Sequence, residues 1–177
     1  MNQMEGREMM KGEAFTESDI RKIEEEIEYR KLVVRKDAIE AVKEARAQGD
    51  LSENFEYYAA KRDKNQNESR IRYLERMVKN ARIVSDESAD DEVGINNRVE
   101  LYFEDDDEIE TYKLVTSIRG NSLNGYISVE SPLGKAILGH RVGDRVEVQI
   151  RPGSSYFVEI RSIDKTTDDR EDAIRGY

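Results

Sequence analysis

Apolar residues recur at spacings of three, four and seven through the first half of the chain and fall into short β-branched and aromatic runs in the second, and this change of period divides the molecule. Ile20, Ile23, Ile27, Val34, Ala38, Val42 and Ala45 make one stripe with charged residues between them, the pattern of a long amphipathic helix. Thr16 stands where it can cap that helix, with Glu17 and Asp19 at its positive end. The stripe stops near Gln48-Gly49, and a second begins: Tyr57, Ala60, Lys64, Asn67, Ile71, Leu74, Val78 and Ala81. Two helices of similar length joined by one short connection return antiparallel. The expectation is a helical hairpin over residues 16–84 with its tip at 49–54, each arm roughly 45 Å long at about 1.5 Å per residue.

Residues 85–97 are polar and acidic and read as a linker. Beyond them, runs at Arg98–Phe103, Ile109–Val115, Tyr126–Val129, Arg145–Ile150 and Tyr156–Ile163 are separated by Gly, Asn, Asp and Pro, which predicts five short strands. Between the third and fourth, Ser131 to Gly139 supplies a capping Ser, a Pro at the first helical position and a Gly past the end, hence one short helix on an antiparallel sheet. The predicted class is α+β: an N-terminal antiparallel helical hairpin (coiled coil) and a β-rich domain over 98–163. An extension at 1–15 and a charged, frayed tail at 164–177 flank them.

Composition adjusts this picture in two ways. Of 177 residues 38% are charged and 37% apolar, with no Trp and four Phe, thin for a globule but suited to an exposed hairpin. The net charge of -10 argues against a protein that simply coats nucleic acid, so any such contact needs a local patch. Residues 30–82 provide one, with fourteen Lys or Arg against nine Asp or Glu. Arg30, Lys31, Arg35, Lys36, Lys43, Arg46, Lys61, Arg62, Arg70, Arg72 and Arg76 could form a stripe for a phosphate backbone, with Tyr57 and Tyr58 available for stacking. A solvated, salt-bridged helix surface explains the same charges equally well. The absence of cysteine removes disulfides, thiolate chemistry and Cys-based zinc sites. No stretch is apolar enough to span a membrane or serve as a signal h-region, so a soluble cytoplasmic protein is expected. His140, the only histidine, has no metal-ligand spacing, and Ser131 reads as a helix cap, not a nucleophile.

The candidate chemistry lies at the tip. In Gly49-Asp50-Leu51-Ser52-Glu53-Asn54, two carboxylates stand three residues apart. If the second helix starts there, Asp50 and Glu53 occupy adjacent faces of its first turn and can converge on a cation. Capping of the helix explains the same pair. Two carboxylates do not make a complete Mg²⁺ cage, which favours a tip that completes another protein's site.

Several segments resemble the Gre family of bacterial transcription elongation factors: the tip run Glu44 to Tyr57, the second-arm residues Arg70-Ile71, Leu74-Glu75 and Asn80-Ala81-Arg82, and Ser131 to Gly139 followed by Val142-Gly143-Asp144. The resemblance covers about Phe15 to Ile163. It implies a coiled coil plus a domain like those of FK506-binding proteins. It further implies that the hairpin enters the secondary channel of RNA polymerase and stimulates the polymerase's own cleavage of backtracked RNA, the factor not being a nuclease itself. On that resemblance Asp50 and Glu53 help hold a Mg²⁺ shared with polymerase and none is bound alone. Lys61, Arg46 and Arg62 face the nascent RNA 3′ end, and Glu130, Ser131 and Pro132 dock on the polymerase rim. A monomer is expected, since the short Gly49-Asp50 break favours pairing within one chain over a dimeric coiled coil. The chain departs from the pattern in its extended termini, at Asp63 to Ser69, and at Phe55, where small residues are common. These departures motivate the alternative of a channel binder that regulates or inhibits transcription without stimulating cleavage.

Overall fold

A computed structural model describes residues 12–49, 54–166 and 168–176. The chain forms two compact units, one of Ile20–Ala81 and the other of Ala14–Asp19 with the chain from Arg82 onward.

The first unit is the helical hairpin. Helix α1 (Glu17–Tyr29) runs through a π-helical turn at Arg30–Val34 into α2 (Arg35–Ala47), and α3 (Phe55–Asn80) returns. Every position of the two predicted stripes is buried or half-buried, with Ile23, Ala45, Ile71 and Leu74 fully inside. The single long first helix is continuous, but the widened turn was not foreseen. There the Arg35 N–H donates to the Arg30 carbonyl, five residues back. Asn67, buried in the opposite arm, donates its amide to that same carbonyl at 3.3 Å and accepts from Arg30 Nη1 at 3.1 Å. A polar residue in an apolar seam is thereby satisfied by the irregularity it faces. Arg70, also buried, forks onto both oxygens of Glu26 at 3.0 and 3.2 Å.

The second unit is a curled sheet. Besides a short parallel pair, β1 (Ala14–Phe15) with β2 (Arg82–Ile83), it contains β3 (Arg98–Phe103), β4 (Glu108–Val115), β5 (Tyr126–Ser128), β6 (Arg145–Arg151) and β7 (Ser154–Asp164) in the order β5-β4-β3-β7-β6. The five predicted strands are present, and one pairing corrects the all-antiparallel expectation: β5 runs parallel to β4. The loop that includes Ser117–Arg119 and Ser122–Asn124 carries the chain back before β5 begins, so the strand re-enters in the same direction. Val99, Leu101, Leu114, Val148, Val158 and Ile160 alternate inward to form the core, and helix α4 (Pro132–Ile137) closes it with Ile137. Gly134 is required at this contact, because a Cβ there would meet the Ser128 carbonyl at 2.0 Å.

Two segments differ from expectation. Within 85–97, the anticipated linker, Val93 and Ile95 belong to the core and Asn96 and Asn97 are buried. The tail does not fray at Asp172, which is buried. Its carboxylate accepts from Lys113 Nζ at 2.8 Å and Arg119 Nη1 at 2.9 Å. Arg119 in turn donates Nε to Asp19 at 2.6 Å and Nη1 to Asn96 at 2.6 Å. Asp19 also accepts from the Thr116 hydroxyl and the Thr16 N–H while its own N–H donates to Thr16 Oγ1. The helix cap expected at Thr16 is thus one corner of a buried, charge-balanced hub joining the segment at 14–19, β4 with its following loop, and the tail.

Candidate nucleic-acid interface at the hairpin end

The end of the hairpin is fixed by local chemistry. Gly49 follows α2 with φ of 135°, a region unfavourable to L side chains. Helix α3 opens at Phe55, not at Asp50, and its cap is Asn54, whose Oδ1 accepts from the Tyr57 N–H at 3.0 Å. The same side chain donates Nδ2 to the Ala45 carbonyl at 2.6 Å. One Asn thus starts one helix and ties it to the last turn of the other. Asn directly before a periodic apolar run is a helix start signal, and Asn54 is the cap of α3. Asp50 and Glu53 lie outside the described residues.

Arg46 and Tyr57 form a pair across the two arms. The Arg46 Nη2 donates to the Tyr57 hydroxyl at 3.4 Å, and its guanidinium carbon lies 5.5 Å from the ring centroid. That hydrogen bond, assisted by the fields of Arg46, Lys61 and Lys64, holds the Tyr57 phenol below its ordinary pKa despite desolvation. Tyr58 meets Tyr57 edge to face at 5.5 Å.

The basic residues divide along the arms. In the part remote from the tip, some cations are paired: Arg30 and Arg70 with Glu26, Lys31 with Glu75 at 2.5 Å, and Arg35 with Glu68 at 2.7 Å, while Lys36, Arg72 and Arg76 make no ion pair among the described residues. Nearer the tip, Lys43, Lys61 and Lys64 make no ion pair among the described residues, though the field of Lys64 reaches Glu68. Arg62 has only its exposed neighbour Asp63 at 3.5 Å. Both readings of the charge pattern thus hold in part: salt bridges join the arms away from the tip, and the cations nearest the tip have at most one exposed neighbour as partner.

Of the residues assigned to docking, Glu130 is exposed and 4.0 Å from Lys135, and Pro132 is exposed at the first position of α4. Ser131 is the α4 cap, accepting from the Gly134 N–H at 3.0 Å and donating to the Ser128 carbonyl at 2.6 Å. Among the described residues no cluster of three metal-ligating side chains occurs and no helix is long and apolar enough to cross a membrane.

Residues 14–83 match the family model for the N-terminal part of the transcription elongation factors GreA and GreB, and residues 87–165 match that for the C-terminal part. The chain belongs to the GreA/GreB family of transcription elongation factors. It is 44% identical to transcription elongation factor GreA of Thermoanaerobacter pseudethanolicus over 82% of this chain and 93% of that protein. It is 40% identical to the GreA of Bacillus subtilis over 80% and 90% respectively. GreA factor homolog 1 of Thermus thermophilus, a solved structure, shares 26% identity over 86% of this chain and 99% of that one, with a TM-score of 0.41. For a GreA/GreB member, the hub places one feature outside the matched segments: Asp172, its tail acid, lies beyond residue 165.

Proposed function

We propose that this elongation factor inserts its hairpin into the secondary channel of bacterial RNA polymerase, as a cytoplasmic monomer, and stimulates the polymerase's own cleavage of backtracked RNA. The observation that carries the reading is the group of weakly paired cations at the hairpin end. The end that would meet RNA leaves Lys61 and Arg62 to solvent and holds Arg46 against Tyr57. In a protein of net charge -10, such a patch directs phosphate to one place.

Asp50 and Glu53 are the acids assigned to the shared metal, and their two side chains suit a partial ligand set. When bound, a Mg²⁺ completed by polymerase carboxylates supplies an activated water and neutralises charge at the scissile phosphate. The chain's own residues orient and position: Asn54 anchors the start of α3 to the last turn of α2. Lys61, Arg46 and Arg62 steer the extruded RNA, and Glu130, Ser131 and Pro132 dock on the rim outside.

The test is RNA release from a stalled, backtracked elongation complex with Mg²⁺. Wild type should accelerate release of 3′ fragments, and Asp50→Asn/Glu53→Gln should bind polymerase without doing so. Binding by wild type without acceleration would replace cleavage by channel occupancy as the function.

A further inference from the structure

The first turns of α3 carry two exposed rings, Phe55 and Tyr58, that the tip acids and basic patch do not use. Phe55, Tyr58 and Arg62 stand at i, i+3 and i+7, which places them on one face of the helix, within roughly 10 Å along its axis. That face is not the seam, which takes Tyr57, Ala60, Lys64 and Asn67. Phe55 is 85% exposed and Tyr58 53%, and the Arg62 side chain is 70% exposed. Phe at the first position of a helix contributes nothing to α3 that Ala would not provide better, and at this exposure it adds little to the core.

Exposure alone would mean little, since Leu123 is 96% exposed in a loop. Three facts separate Phe55 from such residues. Its backbone is held by the Asn54 cap and that residue's bond to Ala45, so the ring projects from a braced element. A second exposed ring and a weakly paired guanidinium share its face. Lys61 stands beside them without an acidic partner among the described residues. Aromatic faces alternating with cations suit a single-stranded nucleic acid, whose bases stack and whose phosphates pair. A purely apolar protein partner has no use for the cations.

We infer that Phe55, Tyr58 and Arg62 form a stacking platform for the displaced single-stranded 3′ segment of the RNA, with Phe55 holding one base. This rests on the hairpin reaching backtracked RNA, as proposed above. The platform makes cleavage depend on the presence of a base, a dependence that carboxylates and lysines alone would not produce.

The experiment compares wild type, Phe55→Ala and Phe55→Trp on backtracked complexes whose displaced nucleotides are either normal or abasic. Because the ring is exposed and Ala favours the helix, Phe55→Ala should fold as wild type does. On normal RNA it should cleave about tenfold more slowly, the effect of one lost stack, and Phe55→Trp should retain the wild-type rate. On abasic RNA wild type and Phe55→Ala should converge to within about twofold. An equal slowing on both RNAs would assign the ring to a protein contact, and no slowing on either would remove it from the reaction; each overturns the platform. Asp50→Asn/Glu53→Gln should be inactive on both RNAs whatever Phe55 does. Should wild type itself stimulate nothing, fluorescence from 2-aminopurine at the displaced 3′ nucleotide decides separately: quenching by wild type but not by Phe55→Ala supports stacking, and equal fluorescence overturns it.

Discussion

The hairpin and the sheet unit both use Arg, Lys, Asp and Glu in pairs, in opposite surroundings. Lys31 and Glu75 bridge the helices with 41% and 46% of their side chains exposed, whereas Arg119 and Asp19 are wholly buried. In water an ion pair adds little, because solvent competes for both partners. In the interior the pair is no great source of stability either, yet removing one member strands the other without water. Apart from the buried Arg70–Glu26 fork, the hairpin's charges can therefore be rearranged freely to suit a ligand. Those of the hub specify which distant segments must meet.

The largest effect expected from this contrast is at Arg119. Arg119→Met leaves Asp19 buried without its cationic partner and Asp172 with Lys113 alone, and should lower unfolding stability by about 3–5 kcal/mol in urea titrations. Asp172→Ala should cost less, because Arg119 keeps Asp19 and Asn96 while Lys113 keeps the Asp168 carbonyl. Equal, small losses for both variants would mean that water already reaches the hub, and the comparison would collapse.

Acid should expose the same difference. Burial pushes the Asp172 carboxyl up, but hydrogen bonds from Lys113 and Arg119 more than offset this, leaving it below its ordinary value. Glu26 is lowered likewise, its burial outweighed by Arg70 and Arg30. A carboxyl lowered in the folded state binds fewer protons there than when unfolded. Its stabilisation is therefore complete above the unfolded value, roughly pH 4, and is lost as pH falls through the folded one. Melting midpoints should stay level in these terms from pH 7 to 5 and fall below about 4. Asp172→Asn, less stable at neutrality, should approach wild type in that acid range. A gap that stays constant to pH 2.5 would show that ionisation of Asp172 is not what the hub uses.

Much of this was legible beforehand where neighbours in sequence are neighbours in space. The seam from Ile20 to Ala45 and from Tyr57 to Ala81 follows helical spacing, and the Ser131 cap with Pro132 behind it follows local turn chemistry. The π-helical turn was not legible, because the side chain that bonds to it, Asn67, sits 37 residues from Arg30. Nor was the hub: Arg119 is 100 residues from Asp19 and 53 from Asp172, and each reads alone as an ordinary surface charge. The parallel entry of β5 depends on the path of a loop, which alternation of apolar residues does not encode. At the tip, the acids drew the capping role that Asn54 performs.

The smallest expected effect tests the exposed side of the comparison. Arg35 makes the best-shaped of the hairpin's surface pairs, with Nε at 2.7 Å and Nη2 at 3.0 Å from the two oxygens of Glu68. The guanidinium depresses the Glu68 carboxyl, chiefly through the hydrogen bond. Even so, a double-mutant cycle of Arg35→Ala and Glu68→Ala should give a coupling that moves the melting midpoint by no more than about 2 °C. At 1 M salt, where screening acts within about 3 Å, that coupling should vanish, while the penalty of Arg119→Met should persist because ions cannot enter the hub. If salt erased both, burial would not be what distinguishes them. If it erased neither, the Arg35–Glu68 bridge would belong to the hairpin's architecture, and the freedom of its surface to serve RNA would be confined to the end carrying Lys61 and Arg62.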